Sequence, residues 1–217
     1  MTDQQSEDVV QALSRAEPVL AALRGRRSVR AFREEPVPRE VLESILEGAI
    51  WAPSASNLQP WRFVVLQGQR KAELVDLLRR FAAGLQAGLN PVLWVHRRGL
   101  GRCAGIIEGA PVAIMAWAIV GPEDQRLRLV ARGDLTPLFS WTMVVQSVAA
   151  AVQNLLLAAQ VLGLGAVWLG YPCLAGPEIA RWLKEEGELM ATVALGYPAA
   201  EPGQGRRRPL AQVVRWE

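Results

Sequence analysis

The stretch Trp51-Ala-Pro-Ser-Ala-Ser-Asn-Leu-Gln-Pro-Trp61 places small hydroxyl and amide side chains between two indoles. The patterns on either side make it the connection between a helix and a strand, and such loops are favoured places for binding groups. Ser54 and Asn57 would equally turn or cap the chain, with both indoles packed in the core. On its own, this stretch leaves a structural role and a binding role open.

Apolar spacing predicts the elements beside this stretch. Apolar residues recur from 41 to 50 as on one face of an amphipathic helix, and Pro53 ends that pattern. Residues 62–66 are typical of a strand, and residues 70–85 repeat the amphipathic helical spacing. The stretch is therefore predicted to be a helix-to-strand loop.

The second half of the chain alternates in the same way. A continuous apolar run at 111–120 predicts a strand buried on both faces, and further strands are predicted at 166–172 and 189–195 with a helix at 177–185 between them. Residues 86–110 show no clean period because glycines interrupt it. The alternation favours an α/β (α+β) sandwich with a mixed central sheet flanked by helices.

A long segment without charge, residues 135–177, exceeds the span of a bilayer core. Within it Gln146, Gln153 and Gln160 recur every seven residues, which gives a helix one polar stripe and an otherwise apolar circumference. We interpret this segment as a buried helix and expect no membrane span. Its polar stripe is predicted to face another subunit or a ligand.

Length and composition favour a single domain. A chain of 217 residues with 51% hydrophobic composition is long enough for one domain with a substantial core. Residues 1–17 are interpreted as an N-terminal extension, and Pro18 is predicted to begin the first helix of a domain over 18–217.

Cysteine usage and the N-terminus predict a cytoplasmic protein. Cys103 and Cys173 are the only cysteines and lack CxxC or Cys/His spacing, so neither a disulfide framework nor a metal site is expected. The acidic, polar residues 1–8 lack the positive and apolar regions of a signal peptide.

A basic cluster, Arg26-Arg27-Ser28-Val29-Arg30, follows the first predicted helix. Guanidinium groups bind phosphate oxygens bidentately and Ser28 adds a hydroxyl, so a phosphate clamp is one interpretation. A solvated basic face is the other. The formal net charge of +3 is modest for a nucleic-acid-binding protein, whose positive charge is usually stronger and more segregated.

Several familiar sites are excluded by their missing motifs. The chain has no GxGxxG after a first strand, no GxxxxGK[ST], no HExxH and no GxSxG, and its single histidine, His96, argues against a Ser/His/Asp triad. Arginine clusters and small polar loops with few acid/base groups suit chemistry that a cofactor carries.

The chain resembles the FMN-dependent nitroreductase family from about Pro18 to the C-terminus. Residues 26–32 are similar to its opening Arg-x-Ser-x-Arg/Lys segment, and residues 52–61 to its most specific signature. Supporting matches occur in order along the rest of the chain, at residues 153–159, 163–170, 194–198 and 207–210.

The resemblance implies an intertwined homodimer with two FMN sites, each built from both chains. The residues that it assigns to cofactor binding are Arg26, Arg27, Ser28, Arg30 and Arg207 toward the phosphate and ribityl; Pro53, Ser54, Ala55, Asn57 and Gln59 from the partner chain; and Trp168, Leu169 and Gly170 beside the ring. Arg30 would also place positive charge near the reduced flavin.

The implied activity is ping-pong transfer of hydride from NADH or NADPH through FMN to a small-molecule electron acceptor, such as a nitroaromatic or a quinone. Residues 86–102 have no placed counterpart in the family, which leaves open a specialised member that dehydrogenates, dehalogenates or fragments one dedicated substrate. A non-enzymatic module that binds nucleic acid through residues 24–33 and 206–208 is the remaining alternative.

Overall fold

A four-stranded antiparallel sheet forms the centre of the computed structural model, which describes residues 3–85, 91–119, 136–203 and 205–217. The strand order is β1-β2-β4-β3. The strands are β1 (Trp61–Leu66), β2 (Val112–Ala118), β3 (Gly165–Leu169) and β4 (Glu188–Gly196).

Helices cover both faces of this sheet. The described helices are α1 (Asp3–Gly25), α2 (Arg39–Ile50), α3 (Gly68–Gly84), α4 (Pro91–Glu108), α5 (Thr136–Val161) and α6 (Gly176–Leu183). Of these, α2 and α5 pack on one face of the sheet, and α3, α4 and α6 pack on the other. Short 3-10 turns occupy Ala55–Asn57, Tyr171–Ala175 and Leu210–Gln212.

The central strand β2 divides the core into two layers. Alternate residues of a strand point to opposite faces, so Val112 and Ile114 pack with α2 and α5, while Met115 and Trp117 pack with α3, α4 and α6. All of β2 is buried, which confirms the predicted strand with two covered faces.

The predicted α+β sandwich with helices on both faces is confirmed. The sheet is antiparallel and not mixed as expected, because all pairings between the four strands are antiparallel; the parallel bridge between Ser28 and Ala166 is isolated from these strand pairings.

The N-terminal helix differs from the prediction. Pro18 lies inside α1 instead of beginning a helix. A proline removes one interior hydrogen bond and crowds the preceding turn, but the turns on both sides continue the helix across that position. Residues 3–17 are consequently part of the same helix as residues 18–25. That residues 1–17 form an extension outside the domain stays a prediction.

A helix also occupies the segment where the sequence showed no period. α4 contains Gly99, Gly101 and Gly105, which obscured its apolar face. Packing explains the glycine at position 99, because a Cβ atom there would lie 2.5 Å from carbons of the Tyr171 ring.

The long apolar segment forms α5, whose part Phe139–Val161 is long and apolar enough to cross a membrane by length and composition alone. Its inward face, including Val148 and Leu155, is buried against the sheet and α2. Two polar residues of α5 contact their own chain: Asn154 Nδ2 donates to the Gly48 carbonyl at 3.3 Å, and Ser147 is buried. The polar face is therefore only partly free to meet a subunit or a ligand.

Candidate functional site

The basic segment is fixed along one end of the sheet. The Val29 N–H donates to the Ala166 carbonyl at 3.1 Å, and the Arg33 N–H donates to the Tyr197 carbonyl at 2.8 Å. Gly165 permits this approach, since a Cβ atom there would lie 2.6 Å from Val29 Cβ. Arg30, which lies between these two bonds, is thus held at the edge of the sheet.

A cavity of about 540 Å³ lies beside this segment. Arg27 Nε donates to the Gly203 carbonyl at 3.2 Å, which ties the segment to the C-terminal part of the chain. The lining residues are Arg26, Arg27, Ser28, Val29, Arg30, Ala31, Ala200, Pro202, Gly203, Gly205 and Arg207. The fold therefore brings Arg207 to the basic cluster, as the resemblance implied.

The guanidinium groups of this cavity differ in their pairing from the arginines on either side. Arg24 pairs with Glu17 at 2.8 Å, and Arg33 pairs with Glu35 at 3.3 Å. By contrast, Arg26, Arg27, Arg30 and Arg207 form no ion pair within the residues that the structure describes. Four unneutralised cations around one cavity favour an anionic ligand, and their forks match phosphate oxygens.

A second cavity, of about 710 Å³, shares Arg30 with the first. Trp168 is 38% exposed, in contrast to the four buried residues of β3. The residues that line this second cavity are Arg30, Val95, Arg98, Gly99, Arg102, Cys103, Ile106, Val167, Trp168, Leu169, Gly170 and Tyr171. The exit of β3 and the face of α4 thus form an apolar cavity with a cationic rim.

The helix-to-strand loop is strained and anchored to α5. Ser56, Asn57 and Gln59 have φ of 52°, 52° and 49°, which is uncommon for residues other than glycine. Ser54 Oγ accepts the Gln59 N–H at 3.0 Å, and the Ala55 N–H donates to Ser147 Oγ at 3.3 Å. Strained conformations of this kind persist where the surroundings fix them, and they cluster at functional sites.

The two indoles that bound this loop have different environments. Trp61 is 8% exposed and belongs to the core, whereas Trp51 is 80% exposed. The interpretation of both as core indoles is wrong for Trp51. An exposed indole beside a strained loop is a candidate contact for another molecule.

Within one chain, the predicted site residues fall into three groups. The smaller cavity is lined by the residues predicted to bind the phosphate and ribityl, which are Arg26, Arg27, Ser28, Arg30 and Arg207. The larger cavity is lined by Trp168, Leu169 and Gly170, which are predicted to lie beside the ring. Neither cavity is lined by the loop residues Pro53, Ser54, Ala55, Asn57 and Gln59. The resemblance assigns these loop residues to the site of a partner chain, and that assignment stays a prediction.

Sequence reasoning missed the contribution of α4. Arg98 and Arg102 line the larger cavity and are four residues apart, a spacing that puts both on one helix face. The four-residue spacing of the two arginines could have indicated this shared face, but the glycines of α4 interrupt the helical pattern around them.

The remaining reactive side chains suit structural roles. His96 meets the Tyr171 ring edge-on at 6.0 Å and lines neither cavity. Burial raises the pKa of the Cys103 thiol and raises that of Cys173 to about 11, so both are thiols at neutral pH. Among the described residues, no group of three His, Cys, Asp or Glu could hold a metal ion.

Comparison with known proteins places this arrangement in a family. The model of the nitroreductase family matches residues 23–197. The NADH dehydrogenase of Thermus thermophilus is 35% identical over 217 aligned residues, covering 90% of this chain and 94% of the relative.

Solved structures agree with this match. A provisionally named nitroreductase from Desulfovibrio desulfuricans, crystallised with FMN, is 33% identical with a TM-score of 0.67 and covers 92% of this chain and 96% of its own. A BluB-like flavoprotein from Clostridium difficile is 25% identical with a TM-score of 0.75, covering 92% and 98%. On the strength of the matched residues and the shared fold, the chain belongs to the nitroreductase family.

Proposed function

We propose that this protein, an FMN-dependent NAD(P)H oxidoreductase of the nitroreductase family, holds its flavin between the two cavities of one chain and the 53–59 loop of a second. It passes hydride to electron-poor acceptors such as nitroaromatics and quinones. The observation that carries this proposal is the convergence of Arg26, Arg27, Arg30 and Arg207, without a carboxylate partner among the described residues, beside an apolar cavity.

The smaller cavity fits the phosphate of FMN. The guanidinium groups of Arg26, Arg27 and Arg207 offer paired N–H donors, and Ser28 adds a hydroxyl donor. Phosphate would neutralise the positive charge that these side chains share, which stabilises both the ligand and the site.

The larger cavity suits the ring and the reactants. When bound, FMN supplies the redox chemistry, because it accepts a hydride from NADH or NADPH and gives it to an acceptor. Arg30 lies at the junction of the two cavities, where its charge favours negative charge that develops on a bound ring. Trp168, Leu169 and Gly170 form the wall at the β3 exit.

The chain's own residues bind and orient, and none is required as a nucleophile. Cys103 lines the larger cavity but is held as a thiol, because burial raises its pKa. Reduction of a quinone needs one hydride and one proton, and water supplies the proton. The protein's contribution is therefore the placement of ligands and charge.

We propose a homodimer as the assembly that completes the site. Trp51 and Trp216 are 80% and 85% exposed, and Val161 and Val213 also expose most or half of their surface. Large apolar side chains that are this exposed become buried when a subunit interface covers them, which supports the proposed homodimer. A partner seated there would bring its own Asn57 and Ser54 toward the flavin.

The cytoplasm is the proposed compartment. Both cysteines are free thiols, which a reducing environment maintains.

Flavin identification after purification tests the proposal. The protein should be yellow, release FMN on denaturation, and oxidise NADH or NADPH when a quinone is supplied. Colourless protein that binds no added FMN in calorimetry would contradict the proposal. Salt-sensitive nucleic-acid affinity that persists with excess FMN would favour the binding-module alternative.

A further inference from the structure

The α4 face of the larger cavity carries two arginines that flavin binding does not explain. Arg98 and Arg102 line this cavity together with residues of the β3 exit, and no carboxylate is among its lining residues. Neither guanidinium forms an ion pair within the described parts of the chain. Together with Arg30 they leave three unneutralised cations around one cavity.

Packing holds the middle of α4 in place, between the positions of the two arginines. The tight contact of Gly99 with the Tyr171 ring fixes the helix between the two arginines. The Arg98 guanidinium lies over the Trp94 ring, 4.6 Å from its centroid, so a cation–π contact orients it.

The C-terminal end of α4 is held just as firmly. Lys71 Nζ donates to the carbonyls of Ile107, Glu108 and Ala110 at 3.1, 2.7 and 2.5 Å. Arg79 binds the Glu108 carboxylate with two bonds of 3.0 and 2.6 Å. These contacts keep the arginine-bearing face of α4 at a fixed position beside the cavity.

The other large side chains of the lining are mainly apolar or aromatic: Val95, Ile106, Val167, Trp168, Leu169 and Tyr171. An apolar wall accepts a planar organic ring, and cations at the rim attract a negative group on that ring. Like charges that face one cavity repel each other, and an anion relieves that repulsion.

We propose that Arg98 and Arg102 form an anion-binding pair that selects acceptors carrying a carboxylate or a similar oxyanion on an aromatic ring. The proposal rests on the proposed function, because it names the acceptor class of that same site. The pair positions the acceptor and takes no part in electron transfer.

A matched pair of acceptors tests this selection. 4-Nitrobenzoate and 4-nitrobenzamide have similar shape and differ in charge. For the holoprotein, Arg98→Ala and Arg102→Ala should each raise the KM for 4-nitrobenzoate about tenfold, the scale of a charge-assisted hydrogen bond that is partly exposed. The KM for 4-nitrobenzamide should change less than about twofold. Added salt should weaken 4-nitrobenzoate binding less in a variant that carries both Arg98→Ala and Arg102→Ala than in the parent protein, because only Arg30 then remains at the cavity.

Arg97→Ala is the matched control, since Arg97 is an exposed arginine of the same helix that lines neither cavity. It should change neither KM. Equal losses for both acceptors, or loss of FMN affinity in the Arg98 and Arg102 variants, would overturn the proposal. A KM that rises more for NADPH than for NADH, with the KM of both acceptors unchanged, would also overturn the proposal. Such a result would assign the arginine pair to the electron donor.

Calorimetry separates this proposal from the proposed function. Binding of 4-nitrobenzoate that weakens in the two variants supports the pair even if the protein fails to reduce FMN with NADH or NADPH. Retained reduction with no charge selectivity in binding overturns the pair alone.

Discussion

Gly99 of α4 lies so close to the ring of Tyr171 that a Cβ atom at position 99 would be 2.5 Å from ring carbons. This contact joins the helix that bears Arg98 and Arg102 to the turn that follows β3. The width of the larger cavity therefore depends on glycine at position 99, because a side chain there would push α4 and Tyr171 apart.

Gly99→Ala should destabilise the protein, because the added methyl group forces α4 or Tyr171 to move. Overpacking of this kind costs about 1–3 kcal/mol of unfolding free energy. Urea titration followed by circular dichroism measures it. Gly101→Ala is the control: a Cβ at Gly101 meets nothing within 4 Å, so alanine should be neutral or stabilise the helix by about 0.5–1 kcal/mol. Equal destabilisation by both substitutions would contradict the packing role.

Cys173 should make stability fall between about pH 9 and pH 11. Burial raises the pKa of its thiol from 9.0 to about 11 in the folded protein. In this window the folded state keeps a proton that the unfolded state has lost, so the unfolding free energy decreases as pH rises. A shift of this size corresponds to about 2–3 kcal/mol. Urea titrations at several pH values should show a smaller decrease for Cys173→Ala. Identical pH profiles would contradict the raised pKa.

Arg207→Ala should weaken FMN binding at least about tenfold, since it removes one guanidinium from the phosphate cavity. Titration of apoprotein with FMN, followed by flavin fluorescence, gives the dissociation constant. Arg208→Ala is the matched control, because this neighbouring arginine does not line the cavity. If both variants weakened binding alike, the effect would be one of overall charge and not of position.

Asn57→Ala should weaken flavin retention and leave the proposed dimer intact, because the resemblance assigns Asn57 to the flavin of the partner chain and its loop lines neither of the two cavities in its own chain. Gel filtration and the absorbance spectrum measure the two properties. A change of assembly with normal flavin binding would reverse this assignment.

Mixed dimers test whether each site uses two chains. When Arg27→Ala chains and Asn57→Ala chains are denatured and refolded together, a shared site gives one fully wild-type site in each mixed dimer. Each mixed dimer should therefore bind about one FMN, which is half of the content of the wild-type dimer. If both residues served the site of their own chain, every site would carry a substitution and mixing would restore nothing.

Local patterns were sufficient for most elements of the fold. The burial of β2 and the apolar face of α2 follow from residues two, three or four apart, and these spacings are set by strand and helix geometry. The pattern failed where a residue served a distant contact, as Gly99 does toward Tyr171. It also failed at Pro18, where α1 continues past a residue that usually begins or ends a helix.

The sequence by itself determined the basic cluster at 26–30, the polar loop at 53–59 and the family that their motifs share. Only the tertiary structure decided that Arg207 joins the cluster, that Arg98 faces the same cavity as Arg30, and that Asn57 faces neither cavity of its own chain. The physical reason is that spacing along a chain fixes neighbours only within a turn or a strand. Segments far apart in sequence meet through packing, here through the contact that Gly165 allows with Val29.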